Sequence, residues 1–394
     1  MLLLSVAVAA SLGAQAVAPR TPLSKADRLK LDRPAPLFPL EPAWTTPLPA
    51  PPVAGPAIDD GRVYVALADG TVAAADRDSG AVLWTAPAAT ALAPVAAGGV
   101  VIVAGPRELA ALDVATGDRR WTRAVDAPPT WLAVVDDLVL LADGRRVLAH
   151  EATTGRERWR REVPGLTRTP PAVGDGLLAV GDESAVHLLG LADGGVVWRA
   201  PVPGGPGALA VSRDRVYVGT RARGFRALDV AGGVTRWQWR TGGDVAGVRV
   251  DGDRVFVTTL DNLVRALDAA SGNQQWKATL STRPAGTPLL LRNLVIVAGV
   301  APRVEGFARK TGAAVGVILP PAELAGDPAV ATRLEPSRVA LVVATRAGAL
   351  QAYRPERMMF REPRAAPLTA LPGRRLVPEP AVGRPPAPRP PAQP

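Results

Sequence analysis

Cysteine is absent from the 394 residues. That excludes disulfides, thiolate metal sites, cysteine nucleophiles and lipid attachment through an N-terminal cysteine of this chain. Histidine occurs only as His150 and His187, and lysine only as Lys25, Lys30, Lys277 and Lys310. Each histidine falls in a third-strand position, where packing accounts for it. His187 lies near Asp182 and Glu183, but no nucleophile is specified with them. The chain has no G-x-S-x-G, HExxH, P-loop or dinucleotide fingerprint. No window carries a helical stripe of useful length, and beyond the first 16 residues no run approaches the length or apolarity of a membrane span.

What is present is a repeat. A glycine followed four residues later by tryptophan recurs as Gly80/Trp84, Gly117/Trp121, Gly155/Trp159, Gly194/Trp198, Gly233/Trp237 and Gly272/Trp276, with tryptophan spacings of 37, 38, 39, 39 and 39 residues. A period near 40 marks one supersecondary unit used again and again. Every unit holds a β-rich run such as VYVAL (63–67) or VFVTT (255–259), then a polar loop, then a run such as TVAAAD or VRALD. Alternating β-branched residues bounded by Asp, Gly and Ser clusters indicate strands. Four short strands per 40 residues is the content of one blade of a β-propeller.

Turn chemistry agrees. DDG (59–61), GDG (174–176) and DGD (251–253) fall between first and second strands, where a tight hairpin needs residues that accept positive φ. The DSG, ATG, TTG, AGG, ASG and KTG triplets place glycine at the last turn position before the fourth strand. Their aspartates read as turn residues rather than calcium ligands, since no stretch has the ligand density of a calcium loop.

The ends of the chain carry the rest of the architecture. Residues 1–16 are apolar and small, with Ala14-Gln15-Ala16 fitting a signal-peptidase site, so a signal peptide is expected. Residues 17–42 form a Pro-rich linker, 43–354 the repeats, and 355–394 a Pro- and Arg-rich tail expected to be extended or disordered. A seventh anchor, Gly312, has Gly316 where tryptophan belongs, and the eighth unit (339–354) stops before any Gly and Trp. Trp44, 40 residues before Trp84, sits in a strand-like AWTTP segment with no inner strands of its own. A ring that fails to close would expose unpaired sheet edges. The expected fold is therefore all-β: an eight-bladed propeller of four-stranded antiparallel blades, its last blade completed by Ala43–Pro47.

The formal charge is +10, from 46 basic and 36 acidic residues; residues 355–394 alone hold seven Arg and three Glu. Arginine is spread through the blades rather than gathered in a stripe, which argues against nucleic acid. Loops between second and third strands carry Arg107, Arg145, Arg146, Arg221, Arg223, Arg303 and Arg346 alongside Asp69, Glu108, Asp143, Asp182, Glu183 and Asp261. Seven against six is a balanced face, and with the central funnel it is where a partner would bind.

ALDVATGDRRW (111–121), ALDVAGGVTRW (227–237) and ALDAASGNQQW (266–276) resemble the A-x-D-x-x-T-G-x-x-x-W repeat of pyrroloquinoline-quinone (PQQ)-type propellers, with AADRDSGAVLW and AHEATTGRERW as close variants. The resemblance covers about 43–354. It implies that Trp44, Trp84, Trp121, Trp159, Trp198, Trp237 and Trp276 dock against neighbouring blades, with turn glycines at 80, 117, 155, 194, 233, 272 and 312; Trp131 and Trp239 lie outside the motif and read as packing residues. Enzymes of that family usually have a vicinal cysteine pair, calcium ligands and long insertions around the quinone, whereas this chain has no cysteine and nearly minimal units. BamB-like propellers of outer-membrane assembly are non-catalytic and similar in size and blade count, though they carry a lipobox that is missing here. The expectation is a non-catalytic, monomeric scaffold, periplasmic or secreted, with a protein partner in the cell envelope. A small-ligand or sensory propeller comes second, and a quinone dehydrogenase using PQQ and calcium third.

Overall fold

The computed structural model describes residues 40–291, 293–330 and 338–355. The expected signal peptide, the linker up to residue 39 and the tail from 356 onward lie outside the described residues. Within them the chain forms thirty-two strands and no helix, arranged as eight four-stranded antiparallel sheets. Seven are continuous in sequence: blades 1 to 7 span 57–87, 95–124, 129–162, 169–201, 206–240, 245–279 and 289–318. Their strands pair in chain order. First strands touch first strands of neighbouring blades, so that edge faces the axis and the fourth strand forms the rim.

Burial follows from this order. A second strand is covered by a blade on either side, so both of its faces must be apolar: Val63, Tyr64 and Val65 are all buried, as are Val139 through Ala142. On the rim, Arg119–Ala124 buries only Trp121. The core is accordingly divided into eight apolar clusters, each drawn from two adjacent blades. One of them joins Val339, Val342 and Leu350 to Val63, Val65 and Ala73, and so closes the ring between blades 8 and 1.

Blade 8 takes its strands from both ends of the described chain. Its order is 329–330, 341–345, 349–355 and then Leu40–Pro47. Leu40 lies opposite Pro355 and Pro47 opposite Ala349, with a bulge between Pro42 and Trp44. The strand begins at Leu40, ahead of the Ala43 start read from sequence, because Leu40 packs on the blade 7/8 cluster and Glu41 takes Arg354 at 2.7 Å.

The motif glycines and tryptophans meet between blades, not within one. Trp84 of blade 1 donates its indole N–H to the Val114 carbonyl of blade 2 at 3.0 Å, and its ring lies where a Cβ on Gly117 would be only 2.7 Å away. The same arrangement joins Trp121 to Gly155, Trp159 to Gly194, Trp198 to Gly233, Trp237 to Gly272, Trp276 to Gly312 and, across the closure, Trp44 to Gly80. The indoles bond to Ala152, Leu191, Val230, Ala269, Arg309 and Arg77 respectively, at 2.8–3.2 Å. Glycine meets two demands here: all seven have φ between 66° and 78°, and all seven lie under an indole face.

The junction between blades 7 and 8 is different. Gly316 stands opposite Gly306 where the other blades set tryptophan opposite alanine, as Trp121 opposite Ala111, or in blade 4 opposite Leu188. Blade 8, assembled from two chain segments, has no turn joining its third and fourth strands. Its contact with blade 7 is an aliphatic cluster with Tyr353, without tryptophan.

Candidate functional site: the loop face and the central channel

Loops between second and third strands bond to the connections that lead to the next blade: Ala88 to Gly70, Val125 to Arg107, Val163 to Arg145, Val202 to Ser184, Thr241 to Arg223 and Leu280 to Asn262, N–H to carbonyl at 2.7–3.0 Å. Both sets of loops therefore share one face of the ring. Most of its charges are engaged locally. Arg146 bridges Asp143 (2.8 Å) and Asp126, Arg303 holds Glu305 at 2.5 Å, Arg119 takes Glu108 at 2.8 Å, and Arg265 lies 3.5 Å from Asp261. Asp69 accepts from the Thr71 amide and hydroxyl, and Arg346 lies 4.0 Å from Glu323. Arg107, Arg221 and Glu183 make no ion pair among the described residues.

The two histidines are packed. His187 Nε2 lies 2.7 Å from Asp182 Oδ2, and both side chains are almost wholly buried. Burial alone would raise the Asp182 carboxyl; His187 and the amides of Ser184 and Ala185 outweigh it and hold the pKa below the ordinary value. Ser184 hydrogen-bonds to the aspartate rather than to the histidine. A nucleophilic relay requires the histidine between serine and aspartate, so this group serves as a hairpin clasp. His150 Nδ1 lies 3.2 Å from the Gly155 carbonyl, and burial lowers its pKa. Trp131 belongs to the blade 3/4 cluster and Trp239 packs against that of blades 5 and 6.

The aspartates of the repeat cap their own turns. Asp113 Oδ1 accepts the Ala115 and Thr116 amides at 2.8 and 3.0 Å; Asp76, Asp229 and Asp268 accept the amides of Ser79, Gly232 and Ser271 at 2.7–2.8 Å. Arg120 is the largest influence on Asp113, followed by those amides, and its carboxyl falls to about 2. Glu151, at the same place in blade 3, is held at about 2, chiefly by Arg156. Among the described residues no group of three or more His, Asp or Glu is placed to hold a metal ion.

The channel contains what sequence reading missed. A cavity of about 530 Å³ is bounded by the first strands of blades 4, 5 and 6, by Ala285–Thr287, and by Asp327. Each ladder can be followed inward from the tryptophan position, as from Trp276 through Ala266 and Phe256 to Arg249. The residues reached are Ala57, Val95, Ala133, Ala172, Ala210, Arg249, Leu289 and Ala329. Seven are small or apolar; one is an arginine. Counting back from each tryptophan would have exposed it, but VRVD alone reads as an ordinary half-exposed strand end.

Arg249 and Asp327 are both exposed to water where they line this cavity. The protein around the channel lowers the Arg249 pKa and raises that of Asp327, each offset in part by the other's charge. They form no ion pair within 4.0 Å. Asp327 is fixed by close backbone approach: a Cβ on Gly286 would lie 2.5 Å from its Oδ1, and one on Gly55 would overlap its carbonyl.

The fold and its tryptophan–glycine junctions define an eight-bladed propeller of PQQ-type repeats. The family model described as outer membrane protein assembly factor BamB matches five overlapping segments, 41–139, 127–190, 143–249, 182–330 and 238–356, and the chain belongs to that family. Among solved structures, BamB from Moraxella catarrhalis superposes with a TM-score of 0.61 at 16% identity, covering 80% of this chain and 99% of that one. The computationally designed Ika8 protein gives 0.68 at 14% identity, over 78% and 97%. The quinohemoprotein alcohol dehydrogenase ADHIIG from Pseudomonas putida gives 0.59 at 15%, over 80% and 76%. At these identities the structural likenesses speak for the fold alone. No curated protein sequence matches the chain.

Proposed function

We propose that this protein is a non-catalytic, exported scaffold of the cell envelope that takes part in outer-membrane protein assembly. The observation that carries the reading is the match of the whole ring, 41–356, to the outer membrane protein assembly factor BamB family. The rim supports it. Fourth strands are unpaired sheet edges, and several expose apolar side chains: Val82 and Leu83, Val196 and Val197, Val315 and Val317. Such edges can take an added strand from a partner. The loop face supports it too, since its histidine and most of its carboxylates are engaged in clasps, ion pairs and turns. Cross-linking in envelope fractions followed by affinity capture should recover outer-membrane β-barrel assembly proteins. Dye-linked alcohol or sugar oxidation by protein reconstituted with PQQ and calcium would overturn the reading in favour of an enzyme.

A second reading, a small ligand held in the channel, is favoured by one observation: the Arg249–Asp327 pair at a height where the other blades present small or apolar residues.

A further inference from the structure

We propose that the channel binds a small zwitterion of amino-acid to dipeptide size, its carboxylate on Arg249 and its ammonium on Asp327. This rests on the second reading above and gives the ligand's chemical class. Both side chains stay in contact with the water of the cavity, so each can exchange that water for a guest's charged group. A direct guanidinium–carboxylate contact would pair the two charges within the protein. Arg249 and Asp327 forgo that contact, although both line one cavity and each influences the other's charge. Two opposite charges that line one cavity without pairing match a guest that carries the complementary pair.

The site is rigid and shaped. Arg249 lies on the first strand of blade 6, in ladder pairing with Phe256. Asp327 is pinned by Gly55 and Gly286, neither of which leaves room for a side chain. Preorganisation of this kind reduces the cost of ordering the site on binding. The lining also includes Pro171, Val173, Leu209, Val211 and Val248, which offer contacts to aliphatic side chains. The cavity of about 530 Å³ has room for two residues.

Calorimetric titration of the full chain with leucine and leucyl-leucine tests this, with N-acetyl-leucyl-leucine and leucyl-leucine amide as probes lacking one charge. The expected result is binding of a free zwitterion, weakened about tenfold or more by blocking either terminus and by Arg249→Ala or Asp327→Asn. Arg249→Lys should restore part of the loss. Circular dichroism and thermal melting of the variants separate lost binding from lost fold. Equal binding of blocked and free peptides, still dependent on Arg249, would overturn the zwitterion and leave the channel-ligand reading standing. Failure of the wild-type protein to bind any of these probes would overturn both.

Discussion

Blade junctions 3/4 and 7/8 face the same task with different materials. At the first, Trp159 lies over Gly194, bonds to Leu191 at 2.9 Å, and joins a cluster that includes Trp131 and Leu140. At the second, Gly316 replaces the tryptophan, and Leu294, Ile296, Ile318, Leu341 and Tyr353 pack without a directional bond of that kind. The difference has a topological cause. The lock needs a continuous turn between third and fourth strands on the receiving blade, and blade 8 has none because Leu40–Pro47 arrives from the other end of the chain. A tryptophan at 316 would have no glycine turn to lie on. Closing the ring through the chain ends thus removes one lock while adding a sheet pairing.

The closure itself is reinforced. Arg77, only 2% exposed, donates to the Val339 carbonyl through Nε at 3.0 Å, while its own carbonyl accepts from Trp44 at 2.9 Å. Arg338 reaches Asp78 at 2.8 Å and Thr46 Oγ1 donates to the Gly80 carbonyl at 2.7 Å. The 8/1 junction thus adds side-chain hydrogen bonds and an ion pair to its tryptophan lock.

The largest effect should come from removing residues 1–47. Blade 8 would lose its outer strand and the 8/1 junction its lock, a loss comparable with the roughly 5–15 kcal/mol stability of a typical domain. The truncated chain should show no cooperative melting transition. Next, Trp159→Ala should cost about 3–5 kcal/mol in denaturant unfolding, as removal of a buried aromatic does. Gly117→Ala combines a left-handed backbone with a methyl group pressed on Trp84, and should cost roughly 2–4 kcal/mol by the same measurement. Gly316→Trp, by contrast, should change stability by less than about 0.5 kcal/mol, as an ordinary surface substitution does. A gain of lock-like size there would refute the topological explanation.

Acid should act on the locked junctions through their turns. Asp113 and Glu151 are held at about 2 in the fold, against ordinary values of 3.8 and 4.5. A depressed carboxylate pKa stabilises the fold above the unfolded value and stops doing so as pH falls through the folded one. The melting temperature should be level above about pH 5 and fall between about pH 4 and 2. Asp113→Asn should flatten part of that decline.

The fold was legible because the ring is a repeat: one period, one missing outer strand and one spare Trp44 segment fix blade count and closure together. The glycines were half legible. Their triplets gave positive φ, whereas the second constraint, the indole from the preceding blade, is a contact between repeats that no local window contains. The histidines and turn aspartates were placed by their positions next to strand ends. Arg249 and Asp327 were hidden for a physical reason: they lie 78 residues apart, in a strand end and a loop, and only the packing of blades around the channel brings them to one cavity.

Hydrogen exchange of the native protein tests the central claim most directly, namely that tryptophan–glycine locks set the strength of the ring and that the 7/8 junction is its weakest seam. The account predicts that amides of Ala314–Ile318 exchange several times faster than those of Glu157–Glu162, the equivalent fourth strand of blade 3. Equal protection of the two strands, or earlier opening at a junction that carries a lock, would contradict it.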